Sequence, residues 1–266
     1  LLMLGFCVLA PLGDAMAKVL GADMSVGFLV LVRFTVQAAL LLPLVWLLKY
    51  PMPQGARLIR LTAFRTVLHI AGITLMFSSL QYLELADAIA IAFVMPFIML
   101  LLGTVYLNEA VGAHRLAACA VGLVGTLLVV QPNFVQVGLP ALLPVGVAVV
   151  FALFMLVTRA IAKDVDSIGL QALSGVMAVP AVGLAMILFP ETPLLALRTI
   201  PDHAWLLLAV LVCMSTVAHL LMKFPLCVAP STTLAPMQYL EIPIGTLIGY
   251  LIFHDLPNGL AAVGIC

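Results

Sequence analysis

Residues 87–107 read DAIAIAFVMPFIMLLLGTVYL, a single acid followed by an unbroken apolar run. A helix needs about 20 such residues to cross a bilayer, and this stretch supplies them. It shows no alternation of polar and apolar residues, the mark of a membrane barrel strand. Similar runs cover 1–20, 25–48, 61–83, 116–132, 140–161, 167–189, 204–222, 231–253 and 257 onward. They explain why 65% of the chain is apolar, only 8% is charged and the mean hydropathy is +1.30. A soluble domain with that balance would have no surface for water. In lipid each unpaired backbone amide costs several kcal/mol, so the chain crosses as helices. The expected fold is an all-α integral membrane bundle of ten transmembrane helices.

Polar punctuation separates the runs: Gly21-Ala22-Asp23, then Tyr50-Pro51-Met52-Pro53-Gln54-Gly55, Asn108-Glu109, Gln131-Pro132-Asn133 and Pro190-Glu191-Thr192-Pro193. Cations orient the bundle. With the N-terminus in the cytoplasm, the inner loops and helix ends hold Lys49, Arg57, Arg60, Arg65, Arg115, Arg159, Lys163 and Lys223, eight of eleven. Arg198 stays outside, and Lys18 and Arg33 fall within spans. Trp46 and Trp205 at span ends read as interfacial anchors, as does Tyr82 beside Gln81. The chain opens at Leu1 and stops at Cys266 inside an apolar segment, so both ends are expected to be trimmed and the last helix incomplete. The first run lacks a cleavage-site pattern and reads as a true span.

The net charge of zero and the scattered cations exclude a nucleic-acid surface. Cys7, Cys119, Cys213, Cys227 and Cys266 are isolated in apolar runs and read as core residues, so no metal is expected and no cofactor is implied. No phosphate-binding Gly-rich loop is present. An integral-membrane enzyme would cluster His, Asp and Glu at one interface; here they are scattered. A scaffold or receptor would leave Glu241 without purpose.

The two halves echo each other. Pro96, Gly103 and Glu109 recur as Pro243, Gly249 and Asp255, with proline-to-acid spacings of 13 and 12. Lys18 ends span one and Arg159 ends span six. Five spans per copy would insert the copies with opposite orientation, residues 1–132 and 133–266, with a substrate site between them near the midplane.

Lys18, Arg33-Phe34 and Pro96…Gly103…Glu109…Gly125 resemble the EamA-type repeat of the drug/metabolite transporter superfamily. Gln238-Tyr239-Leu240-Glu241, Gly249-Tyr250 and Phe253-His254-Asp255-Leu256-Pro257 resemble its second copy. Asp255 in place of a Glu and Ala118 in place of a common Gly depart from the pattern. The resemblance covers the whole chain and implies ten helices in two inverted-topology five-helix repeats. It also implies movement of small metabolites, often amino acids, across a bacterial inner membrane, by a monomer or a homodimer.

Glu241, about 11 residues from either end of span nine, would hold a substrate ammonium or a coupled proton, or form a structural ion pair. Arg33 would clasp a carboxylate or clamp helices together with Asp14. Asp14 and Lys18, one turn apart, read as a structural pair. His69 and His219 occupy equivalent helices and would bond substrate, relay a proton or simply pack. Gln238 offers an amide and Tyr239 an aromatic face. Pro96, Pro236 and Pro243 would kink spans four and nine where they line the pathway. Glu109 and Asp255 read as turn acids capping helix N-termini. Gly122-Leu-Val-Gly125 and Gly245-Thr-Leu-Ile-Gly249 read as close helix contacts. Taken together these predict a secondary carrier exporting a small amphipathic metabolite, an amino acid above all, by alternating access. The alternative is an uptake or exchange carrier for S-adenosylmethionine or another nucleoside-containing metabolite, which the aromatic content of 8% favours less.

Overall fold

The computed structural model describes residues 2–107, 112, 117, 120–125, 127, 128, 135, 137–189, 201–228, 237, 238 and 240–255. Among them every regular element is helical. Seven stretches are long and apolar enough to span a bilayer: Leu2–Leu20, Val26–Leu48, Ala56–Ser79, Leu85–Tyr106, Leu139–Ile161, Ser167–Leu188 and Ala204–Met222. The protein is a multi-pass membrane protein. The spans expected at 116–132 and from 257 fall largely or wholly outside the described residues, as do Pro236, Tyr239, Glu109 and the join at 132/133.

We number the helices α1 (Leu2–Leu20), α2 (Val26–Leu48), α3 (Ala56–Ser79), α4 (Leu85–Ala92), α5 (Met95–Leu107), α6 (Leu143–Ile161), α7 (Ser167–Leu188), α8 (Asp202–Val228) and α9 (Glu241–Phe253). Helix ends leave backbone groups that lipid cannot satisfy, and local side chains meet some of them. Ser25 Oγ accepts from Phe28 N, and Asp166 Oδ1 accepts from Ile168 N and Gly169 N. Lys49 and His254 close α2 and α9 in the left-handed conformation, each donating its N–H back into its helix. Hydroxyls inside the spans donate to their own helix: Thr35 to Leu31 O, Thr66 to Thr62 O, Thr158 to Phe154 O, Thr216 to Val212 O.

Helices of the two halves interleave. α1 packs on α8, α3 on α6, and α2 on α7; α1 also meets α9, while α6 meets α4 and α5. Glycines set the closest approaches. A Cβ at Gly175 would lie 3.1 Å from the backbone N of Ala38, and one at Gly72 would strike the Phe151 ring. Gly245 and Gly249 face Ile89 and Leu85 of α4, so the small residues of α9 serve packing, as expected. Trp46 and Trp205 are exposed near helix ends, where belt aromatics sit.

Two expectations are corrected here. Helix α3 starts at Ala56, not at 61, so Arg65 lies in its third turn rather than at its end. Span four breaks at Phe93-Val94, and a turn at Leu240 precedes α9. Pro96 and Pro243 therefore stand in the first turns of α5 and α9, where a proline's missing N–H costs no helix bond. They open helices instead of kinking them. Prolines within described helix interiors include Pro11, Pro43, Pro180 and, near the end of α8, Pro225.

Candidate functional site

At the centre of the bundle lies a cavity of about 110 Å³. Helix α1 contributes Phe6, Gly13 and Asp14, α2 Arg33, and α3 Met76 and Phe77. The break between α4 and α5 contributes Phe93, the start of α5 Met95, α6 Phe151 and Met155, α8 His219 and Met222, and the entry to α9 Gln238 and Glu241. Four phenylalanines and four methionines thus surround one guanidinium, two carboxyls, one imidazole and one amide.

Arg33 is buried because α2 is apolar around it and packs on both α7 and α8. Its Nη2 approaches His219 Nδ1 at 3.0 Å and Nε2 at 3.4 Å. A guanidinium only donates, so the ring must turn a lone pair toward it. Nδ1 also lies 3.1 Å from Ser215 O, one turn earlier on α8. If Nδ1–H donates to that carbonyl, Nε2 is left as the acceptor for Arg33. Arg33 therefore joins α2 to α8 through His219, rather than through Asp14. Its Nε makes no hydrogen bond.

The His69 ring stacks behind His219, centroids 4.5 Å apart and planes tilted 34°. Phe34 meets it edge-on at 5.1 Å and Phe154 lies 4.8 Å away. The structure thus brings the two histidines of equivalent helices together, but only His219 lines the cavity. Neither nitrogen of His69 has a hydrogen-bond partner. Gln238 is fully buried, and its Nε2 reaches Met155 Sδ at 3.6 Å. Glu241 sits in the first turn of α9 and faces the cavity, where the helix dipole also suits an acid. Tyr239 lies outside the described residues.

The expected Asp14–Lys18 pair is not formed. Lys18 Nζ pairs with Asp255 Oδ2 at 3.5 Å, donates to Leu83 O at 3.1 Å and lies over the Phe253 ring. Asp255 thus follows the C-terminal end of α9 and receives a cation; the helix expected from 257, whose start it was expected to cap, lies outside the described residues. Asp14 turns to the cavity instead. Glu84 stands at the same rim. Burial first, then the carboxylates of Asp87 and Asp255, push its carboxyl above the usual range, against the pull of Lys18.

Sequence reasoning missed Arg65. It is wholly buried, donating to Thr158 Oγ1 at 2.8 Å, Ser174 Oγ at 2.9 Å and Gln171 Oε1 at 3.2 Å, with its carbon 4.4 Å from the Phe154 centroid. This hub ties α3 to α6 and α7 beside the histidine stack. Thr158, Gln171 and Ser174 gave the signal, polar residues in otherwise apolar runs.

The EamA-like transporter family matches residues 1–131. Three bacterial proteins described as riboflavin transporters are similar. That of Rhizobium johnstonii is 29% identical over 75% of this chain and 64% of its own length. That of Brucella anthropi is 23% identical over 85% and 79%, and that of Vibrio cholerae 26% identical over 75% and 65%. The chain thus spans slightly under two thirds of the Rhizobium and Vibrio relatives. A solved structure superposes on 99% of this chain and 89% of its own, with a TM-score of 0.69 at 18% identity, a likeness of fold.

Proposed function

We propose that the chain, whose residues 1–131 match the EamA-like transporter family, is a transporter and not an enzyme, a secondary carrier of a flat heteroaromatic metabolite of the riboflavin class. The observation that carries this reading is the cavity wall. Phe6, Phe77, Phe93 and Phe151 offer ring faces and edges for a planar solute, and the methionines adapt around it. The aromatic fraction of the whole chain is ordinary; its concentration at the centre is what favours a ring system. Asp14 and Glu241 supply acceptors for a polyhydroxylated side chain.

Alternating access between inverted repeats, residues 1–132 and 133–266, is the mechanism we infer. Its support is the pairing of helices. Exchanging each span for the one five later turns α1·α8 into α6·α3, α3·α7 into α8·α2 and α1·α9 into α6 with α4 and α5, while α2·α7 maps onto itself; all of these pairs are in contact. Phe93 and Leu240, at the two breaks, each stand three residues before Pro96 and Pro243, so the discontinuities also correspond. The bilayer is a bacterial inner membrane with the N-terminus cytoplasmic, a reading supported by the Lys and Arg bias and by the bacterial relatives.

An amino acid is the second reading, favoured by Arg33 facing the same space as Asp14 and Glu241, which would suit a zwitterion. Counterflow in proteoliposomes separates the two. Vesicles preloaded with riboflavin should accumulate labelled riboflavin, with no competition from a panel of amino acids or from S-adenosylmethionine. Counterflow supported only by amino acids would overturn the riboflavin reading.

A further inference from the structure

Two residues that line the cavity each hold a buried polar atom with no hydrogen-bond partner: Gln238 Oε1 and Arg33 Nε. Both side chains are at least nine-tenths buried. The Gln238 amide nitrogen finds only a thioether sulfur, a weak acceptor. Arg33 Nη2 reaches His219, and among the remaining N–H groups of the guanidinium the one on Nε has no acceptor. Reversing the amide would change which of its atoms meets the sulfur and would still leave its other polar atom unbonded. Buried polar groups in folded proteins are bonded, and exceptions at a binding site mark where a ligand completes them.

An acceptor and a charged donor in one cavity ask for a ligand edge with an N–H beside a carbonyl. The polyol chain of a flavin has hydroxyls that any acceptor or water can meet. Its ring system has a single N–H, set in an imide between two carbonyls. We propose that Gln238 and Arg33 are the specificity-determining pair of this carrier, reading the imide edge of a planar heterocycle. The Gln238 carbonyl accepts the ring N–H, and Arg33 Nε donates to the neighbouring ring carbonyl, the stronger bond of the two because the donor is charged. Gln238 stands three residues before the α9 start, and Arg33 is anchored on α8 through His219. Imide recognition would thereby draw together α2, α8 and the broken span. The inference rests on the riboflavin reading above.

The test is binding of riboflavin and of 3-methylriboflavin, whose imide N–H is replaced by N–CH3, followed by quenching of flavin fluorescence on the purified carrier. Sites built to hydrogen-bond a ligand group reject analogues lacking it steeply, and here we expect a preference of about 10²-fold or more for riboflavin. Gln238→Leu should bring the two affinities to within a few-fold of each other, whereas Gln238→Glu, which keeps an acceptor, should preserve the preference. Equal binding of both compounds by the unsubstituted protein overturns the proposal, and so does undiminished discrimination by a folded Gln238→Leu variant. If that variant does not fold, the discrimination of the unsubstituted protein and of Gln238→Glu decides. Failure of the unsubstituted protein to bind riboflavin at all is the separate result that removes the proposed function.

Discussion

Arg65 holds a charge in the interior of the bundle with three neutral partners on two other helices, which makes it the residue whose removal should be felt most in stability. Interhelical hydrogen bonds in membranes average about 0.6 kcal/mol and reach about 1.7. Three of them, with the guanidinium over Phe154, predict a loss of about 2–3 kcal/mol for Arg65→Met. Arg65→Lys should recover little of it, because an ammonium lacks the planar fork that reaches Thr158, Ser174 and Gln171 together. Thermal unfolding in detergent checks both, and an unchanged midpoint in Arg65→Met would show the hub to be energetically idle. Glu84 makes a pH-dependent prediction. Its folded carboxyl titrates above the ordinary 4.5, so between those values the folded chain holds a proton that the unfolded chain has lost. Stability therefore falls as pH rises through that window, and is restored as pH drops below it. Glu84→Gln should unfold at a higher temperature than the unsubstituted protein at about pH 8, with the difference gone by about pH 4. Reading the sequence found Arg33, Glu241, Gln238 and His219 because polar side chains in long apolar runs are conspicuous. It misassigned Arg65 because the Pro51–Gly55 loop ends sooner than an apolar run starting at 61 suggests.

Helices carry their own signals unevenly. Length and hydropathy were enough to mark most described spans to within a few residues, α3 and α9 excepted, because the bilayer fixes how long an apolar run must be. Their interruptions were not legible. Phe93, Val94 and Leu240 are apolar and form no recognisable turn motif, and a proline reads the same whether it bends a helix or begins one. Packing between helices was visible only where glycine marked it. At Gly175 the neighbours of an added Cβ are the backbone N, Cα and Cβ of Ala38, which cannot swing aside. Gly175→Leu should therefore push α2 and α7 apart and cost about 1–3 kcal/mol. Gly183→Leu on the same helix, where nothing lies within 4 Å, should leave the unfolding midpoint unchanged. Equal midpoints for the two variants would mean that the α2–α7 contact is looser than its geometry indicates. Gly245→Ala is milder, since the atom it meets is the mobile Cδ1 of Ile89.

For the whole molecule the decisive property is the relative sense of its two halves. Under the proposed carrier mechanism the exchange of helix pairs reflects one arrangement present twice, and five spans per copy would bring the second copy in from the opposite face. This is testable at two equivalent connections, the one between α1 and α2 and the one between α6 and α7. Ala22 and Lys163 stand in them, both exposed. In intact cells of a cysteine-free variant, a membrane-impermeant maleimide should label Ala22→Cys from outside and leave Lys163→Cys untouched until the membrane is opened. Gln54→Cys should behave like Lys163→Cys, and Gln81→Cys like Ala22→Cys, because α2 and α3 each reverse direction. The charges favour the proposed orientation: Lys49, Arg57 and Arg60 flank residue 54, and Arg159 precedes 163, and by the positive-inside bias connections rich in cations belong on the cytoplasmic side. Labelling of 22 and 163 from the same face would mean two parallel copies. The axis relating them would then stand along the membrane normal, and a site closed by one half could no longer be opened to the other side by the same motion of its counterpart. Opposite faces with the pattern reversed, 163 outside and 22 inside, would keep the symmetry and invert only the orientation of the carrier in the bilayer.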